Sequence, residues 1–153
     1  MFDFARKTIL LVEDEVILAI REKEVLEAEG YKVVVALNGE KALEIFFGQN
    51  VPIDLILMDI NLGSGMDGTE TAEQILRREE IPVVFLSSHV ERSYLERTEK
   101  ITSYGYVVKG SANTVLLASV KMAFKLHEAH HRLRESEARY RRLVEGSPDV
   151  VYT

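Results

Sequence analysis

The chain has 153 residues, room for one domain with a real core and an appendage. Its 46% hydrophobic and 29% charged residues are those of an ordinary globular protein, and a net charge of −6 excludes a chain built to wrap nucleic acid. With no cysteine there can be no disulfide or thiolate metal site. No apolar run approaches the roughly 20 residues of a membrane helix, and MFDFARK lacks the apolar stretch of a signal peptide. The expectation is a cytoplasmic protein with no membrane partner.

In chain order, Thr8 to Val12 (TILLV) is a short apolar run of the kind buried on both faces of a parallel sheet, and it ends directly in Glu13-Asp14-Glu15. Val16 to Glu29 reads as a helix closed by Gly30. Tyr31 to Ala36 is a β-branched strand, and Asn38 caps a short helix through Phe47 that stops near Gly48 and Pro52. After Asp54 comes a third apolar run, Leu55 to Met58, ending in Asp59. A glycine loop, Gly63-Ser64-Gly65, follows. Asp67 then caps a helix over about Thr69 to Arg78, with Glu70 three residues on. Gly68, Ala72, Ile75 and Leu76 recur at the spacing of a core-facing side.

Val83 to Leu86 is a fourth strand, ending in Ser87-Ser88, and a polar helix is expected over about Glu91 to Glu99. Tyr104 to Val108 is a fifth strand, ending in Lys109. Five short strands alternating with helices predict an α/β fold, a doubly wound parallel sheet. From Ser111 to Val144 the pattern becomes a long helix with apolar or small residues in alternating three- and four-residue steps, among them Val115, Met122, Leu126, Ala129, Leu133, Tyr140 and Leu143, with Ser119 and Ser136 in the remaining places. Such a heptad row predicts a parallel homodimer through the helix, with the two receivers side by side. Ser147 to Thr153 breaks the helix and begins a strand-like segment.

Parallel strands bring their carboxyl ends to one edge, where open α/β sheets bind their ligands. That edge collects Glu13, Asp14, Asp59, Ser87 and Lys109. Carboxylates so placed repel one another unless a hard divalent cation joins them, and an all-oxygen site suits Mg²⁺. Asp59 then reads as a nucleophile toward phosphorus, with Lys109 neutralising the transferring group and Ser87 donating a hydrogen bond to it. Singly, each residue has a plainer use: Glu13 and Asp14 as helix N-terminal charges, Ser87 in a turn, Lys109 as a solvated strand end, Tyr106 as a strand residue.

Over Lys7 to Lys125 the chain resembles the receiver domain of two-component response regulators, with LLVEDE, LILMD, VVFLSS and GYVVK in order. The resemblance implies a flavodoxin-like five-stranded fold. It also implies that Asp59 is the phosphoacceptor, served by a histidine kinase or phosphotransfer protein. Glu13, Asp14, Asp59 and the backbone carbonyl of Asn61 would bind Mg²⁺, Ser87 would be the switch hydroxyl, Tyr106 the rotating aromatic, and Lys109 the site lysine. The chain departs from the family at three places. Glu13 is one methylene longer than the commoner Asp, and the loop after Asp59 is a residue longer and lacks a proline. Gly110 follows Lys109 where the family has a cis proline; a cis bond to glycine costs roughly 2.5–4 kcal/mol, so a trans bond is expected.

Residues Glu135 to Thr153 resemble the opening of a PAS domain, which divides the chain into a receiver (1–125), a signalling helix (126–146) and a PAS start (147–153). Two other functions compete. One is a metal-dependent phosphohydrolase using Asp59, which in the haloacid-dehalogenase type needs an aspartate where Asn61 stands. The other is a receiver that binds without being phosphorylated. His127-Glu128-Ala129-His130-His131 also spells the H-E-x-x-H zinc-protease pattern, but it lies within the heptad row and lacks a third ligand at Arg134 or Glu137.

Overall fold

The computed structural model describes residues 6–48, 50–63, 65–88, 96 and 104–145. Five strands, β1 (Thr8–Val12), β2 (Lys32–Ala36), β3 (Leu55–Asp59), β4 (Val83–Ser87) and β5 (Tyr106–Val108), form one parallel sheet in the order β2-β1-β3-β4-β5. The described helices are α1 (Val16–Ala28), α2 (Gly39–Gly48), α3 (Gly68–Leu76) and α4 (Asn113–Glu145). The helix expected over Glu91 to Glu99 lies, apart from Glu96, outside the described residues, as does the strand-like start at Ser147 to Thr153.

β1, β3 and β4 are buried along their whole length because helices cover both faces, which is why they read as unbroken apolar runs. Alternation divides the core. Ile56 and Met58 face α2 and α3 with Ala42, Phe46, Ala72 and Ile75, whereas Leu55 and Leu57 face α1 and α4 with Ala19, Leu26, Val120 and Ala123. Burial of this kind stabilises by about 1.5–3 kcal/mol per large side chain. β5 is three residues long instead of five, because pairing with β4 starts only at Tyr106 opposite Phe85. Gly30 ends α1 at φ +106°, a left-handed angle that costs glycine nothing.

α4 docks its first turns on the sheet through Leu116, Val120 and Ala123, and Phe124 stacks on Tyr31 at 5.8 Å. Beyond that point it outruns the body, and every residue from 128 to 143 is exposed. Two side contacts steady its exit. His127 Nδ1 lies 3.3 Å from the Tyr104 hydroxyl, and Glu80, between α3 and β4, pairs with Arg134 and lies 3.8 Å from His130.

Candidate functional site

The carboxyl ends of β1, β3 and β5 meet at Lys109. Its ammonium donates to Asp59 Oδ2 at 2.7 Å and to Glu13 Oε2 at 3.1 Å, and sits 2.9 Å from Glu13 Oε1. Both acids are buried, Glu13 at 0% and Asp59 at 1% exposure. Glu13 directly follows β1 and Asp59 ends β3, and backbone ties to the neighbouring strand fix both: Glu13 N–H donates to the Ala36 carbonyl at 3.0 Å, and Ile60 N–H, next to Asp59, donates to the Leu86 carbonyl at 3.0 Å. Lys109 is placed the same way, its own N–H donating to the Ser87 carbonyl at 2.7 Å. Asp14 is exposed, and one carboxylate oxygen from each of Glu13, Asp14 and Asp59 lies within 4.8 Å of the others.

One ammonium therefore serves two buried carboxylates, and the electrostatics show the shortfall. Burial, and behind it the Glu13 charge, pushes the Asp59 carboxyl up to about 8 despite the Lys109 hydrogen bond. Burial works against the charge on Lys109, but Asp59 and Glu13 together hold its pKa above the usual lysine value. Glu13 Oε1 is buried with no aligned hydrogen bond, the Lys109 approach being an ion-pair contact only. Two buried acids, a third at the rim and an unsatisfied oxygen make a donor set that fits a hard divalent cation.

Ser87 is buried at the end of β4, one residue past the position that pairs with Asp59. Tyr106 is half-buried in β5 and packs against the α2–α3 side of the core. Asn61 is exposed, and its N–H donates to Asp59 Oδ1 at 3.1 Å. No peptide bond among the described residues is cis; the turn after Lys109 is made by Gly110 at φ +86°.

Several residues around the site make contacts that their local sequence does not show. Gly68 starts α3 directly behind the aspartate: a Cβ there would stand 2.0 Å from the Asp59 carbonyl oxygen. Gly63, at φ +71°, passes over Asp14, and a Cβ there would meet Asp14 Oδ2 at 3.4 Å. Glu40, in the first turn of α2, accepts from Met66 N–H at 3.1 Å and ties the loop after β3 to α2. Glu22 of α1 is half-buried with Oε1 unpartnered, and burial, then the Glu13 charge, raises it to about 7. Beside the site, α1 turns Val16, Ile17 and Ile20 to solvent, Ile17 at 85% exposure.

The histidines of α4 form no comparable cluster. His127 faces Tyr104, His130 faces Glu80 and His131 lies 3.1 Å from Glu135. Among the described residues, the one group of three or more acids or histidines close enough to share an ion is Glu13, Asp14 and Asp59.

A profile of the response regulator receiver domain matches residues 9–121. The chain is 30% identical over 131 residues to the uncharacterized transcriptional regulatory protein YrkP of Bacillus subtilis, a match covering 84% of this chain and 54% of that one. It spans about half the length of the curated relatives it matches. The solved N-terminal domain of a response regulator/sensory box/GGDEF protein from Carboxydothermus hydrogenoformans superposes with a TM-score of 0.75 at 47% identity, over 81% of this chain and 98% of that one. The response regulator TrrA from Thermotoga maritima, solved with Mg²⁺ and BeF, superposes at 0.68 with 34% identity, over 76% and 98%. On its sheet order, its strand-end acids and this match, the chain belongs to the response regulator receiver domain family.

Proposed function

We propose that Asp59 accepts a phosphoryl group from a phosphohistidine donor, a histidine kinase or a phosphotransfer protein, and that the chain is a signalling relay and not a free-standing enzyme. The observation that carries this reading is the Lys109 ammonium held 2.7 Å from Asp59 Oδ2 and shared with buried Glu13. In the transfer a bond forms from an Asp59 carboxylate oxygen to phosphorus while the bond from phosphorus to the donor nitrogen breaks. Little covalent work is asked of the protein; positioning and charge do most of it.

Glu13, Asp14, Asp59 and the Asn61 carbonyl are the residues that would hold Mg²⁺. Bound there, the ion neutralises charge on the phosphoryl oxygens and favours the ionised aspartate. Lys109 supplies the fixed positive charge of the apo site, and Asn61 N–H orients the carboxylate. The Ser87 hydroxyl donates to the arriving phosphoryl oxygens, and Tyr106 follows it inward, shifting the population between two packings of the β4–β5 edge. Exposed Val16, Ile17 and Ile20 give the donor an apolar surface beside the site.

Within this reading residues 1–125 are the receiver. The helix over 126–146 carries its state, as a homodimer, toward a PAS region opening at 147–153, in the cytoplasm. The sensory box in the name of the Carboxydothermus relative supports that order. A phosphohydrolase of the haloacid-dehalogenase type would need an acid at position 61, where an amide stands. Intact-mass measurement with acetyl phosphate tests the proposal. One added phosphoryl group is expected, dependent on Mg²⁺ and absent from Asp59→Asn; equal labelling of that variant would overturn it.

A further inference from the structure

Resting on the reading of α4 as a dimerising helix, we infer that the partner is a second copy of this chain lying parallel and in register, with Arg132 of each copy meeting Glu137 of the other. The seam follows from the spacing. Leu126, Leu133 and Tyr140 take one core position of the heptad, and Met122, Ala129 and Leu143 take the other, with Ser119 and Ser136 completing the two rows. Leu133, Tyr140 and Leu143 are 57%, 68% and 74% exposed, a continuous apolar stripe with nothing packed on it among the described residues.

The receiver leaves this stripe open. Leu116, Val120 and Ala123, which bury α4 against the sheet, fall one place past the seam positions, on the adjoining face. His127 and Arg134, the two residues that tie the exiting helix to Tyr104 and Glu80, fall on that face as well. Docking on the receiver and docking on a second helix use different sides of the same rod.

Charge selects the direction. The residues just before the first core position are Lys125, Arg132 and Arg139, all basic, and those just after the second are His130 and Glu137. In an antiparallel pair the first set would face itself, cation against cation along the whole seam. In a parallel pair each member of the first set faces the residue five places on in the partner, which sets Arg132 against Glu137 twice by symmetry. Among the described residues Arg132 pairs with Glu128 in an exposed contact at 3.6 Å, weak enough to exchange.

The absence of cysteine from the chain makes a direct test simple. Ser136→Cys and Ala129→Cys, each made alone in the full chain and mildly oxidised, are expected to give a disulfide-linked dimer with itself. Sedimentation of the unmodified chain at high micromolar concentration should give a two-chain mass. Arg132→Glu should weaken association by about fivefold or more, and Arg132→Glu with Glu137→Arg should restore it. Cross-linking of Ser136→Cys to Leu126→Cys but not to itself would mean an antiparallel pair, in which each core row faces the other row of the partner. That outcome, a three-chain mass, or a monomer without self-cross-linking would each overturn the inference. None of these measurements uses a phosphodonor, so failure here leaves the Asp59 chemistry standing, and failure of Asp59 labelling leaves the dimer standing.

Discussion

Replacing Asp59 with Asn is expected to make the apo protein more stable at neutral pH while abolishing its phosphorylation. Asp59 and Glu13 are both fully buried and share the single ammonium of Lys109, so Asp59 is held up to about 8 from its ordinary 3.8. Between those two values the folded chain binds more protons than the unfolded one. The contribution of the protonated carboxyl is therefore complete below about pH 4 and is lost as pH climbs toward 8. At pH 7 about three units of that gap have been spent, worth roughly 4 kcal/mol. Asparagine does not titrate and escapes this cost. Against the gain stands the charged hydrogen bond that Lys109 loses, about 1.5–3 kcal/mol, although Glu13 continues to hold the ammonium. Lys109, raised above its ordinary 10.5, contributes its share evenly across this range. Glu22, raised to about 7, adds a slope common to both proteins that cancels in the difference. The net expectation is about 1–3 kcal/mol in favour of the variant at pH 7, a rise in Tm of roughly 2–4 °C per kcal/mol for a chain of this length. The advantage should disappear or reverse near pH 4. Urea melts of both proteins at pH 4, 7 and 8, in chelator, measure it. A variant no more stable than the parent at pH 7, or a difference that does not grow with pH, would refute the reasoning.

Three further outcomes follow from the geometry. Gly68→Ala places a methyl 2.0 Å from the Asp59 carbonyl oxygen, a backbone atom, and should cost about 1–3 kcal/mol or more in a denaturant melt. Ile17→Glu should slow phosphoryl transfer from a histidine kinase domain at least tenfold, about 1.4 kcal/mol, while leaving labelling by acetyl phosphate unchanged; equal slowing with both donors would remove the docking role of α1. Mg²⁺ should raise the Tm of the parent chain in a concentration-dependent way, and Glu13→Gln, which takes one charge from the acidic cluster proposed to hold it, should need more of the ion for the same rise.

Much of this protein was legible in its residues because a doubly wound sheet writes itself in one-dimensional terms. Three of its five apolar runs are buried on both faces, and each run is followed at once by the residue that reaches the sheet edge. Strand ends alone therefore placed Glu13, Asp59, Ser87 and Lys109 at one sheet edge, and the alternating steps of α4 marked its exposed stripe. Tertiary structure decided what depends on distance in space. Glu13 reads as an ordinary acid at a helix start, and only packing reveals that it is sealed from water with an oxygen left unsatisfied. The tie from Glu40 to Met66 spans 26 residues, and the fit of Gly68 against Asp59 depends on a helix crossing behind a strand. The heptad spacing of α4 named a seam, but it took the docking of Leu116, Val120 and Ala123 on the sheet to show which side of the helix stays open. Periodicity is a property of the chain, whereas burial and charge balance belong to the neighbours that folding brings up.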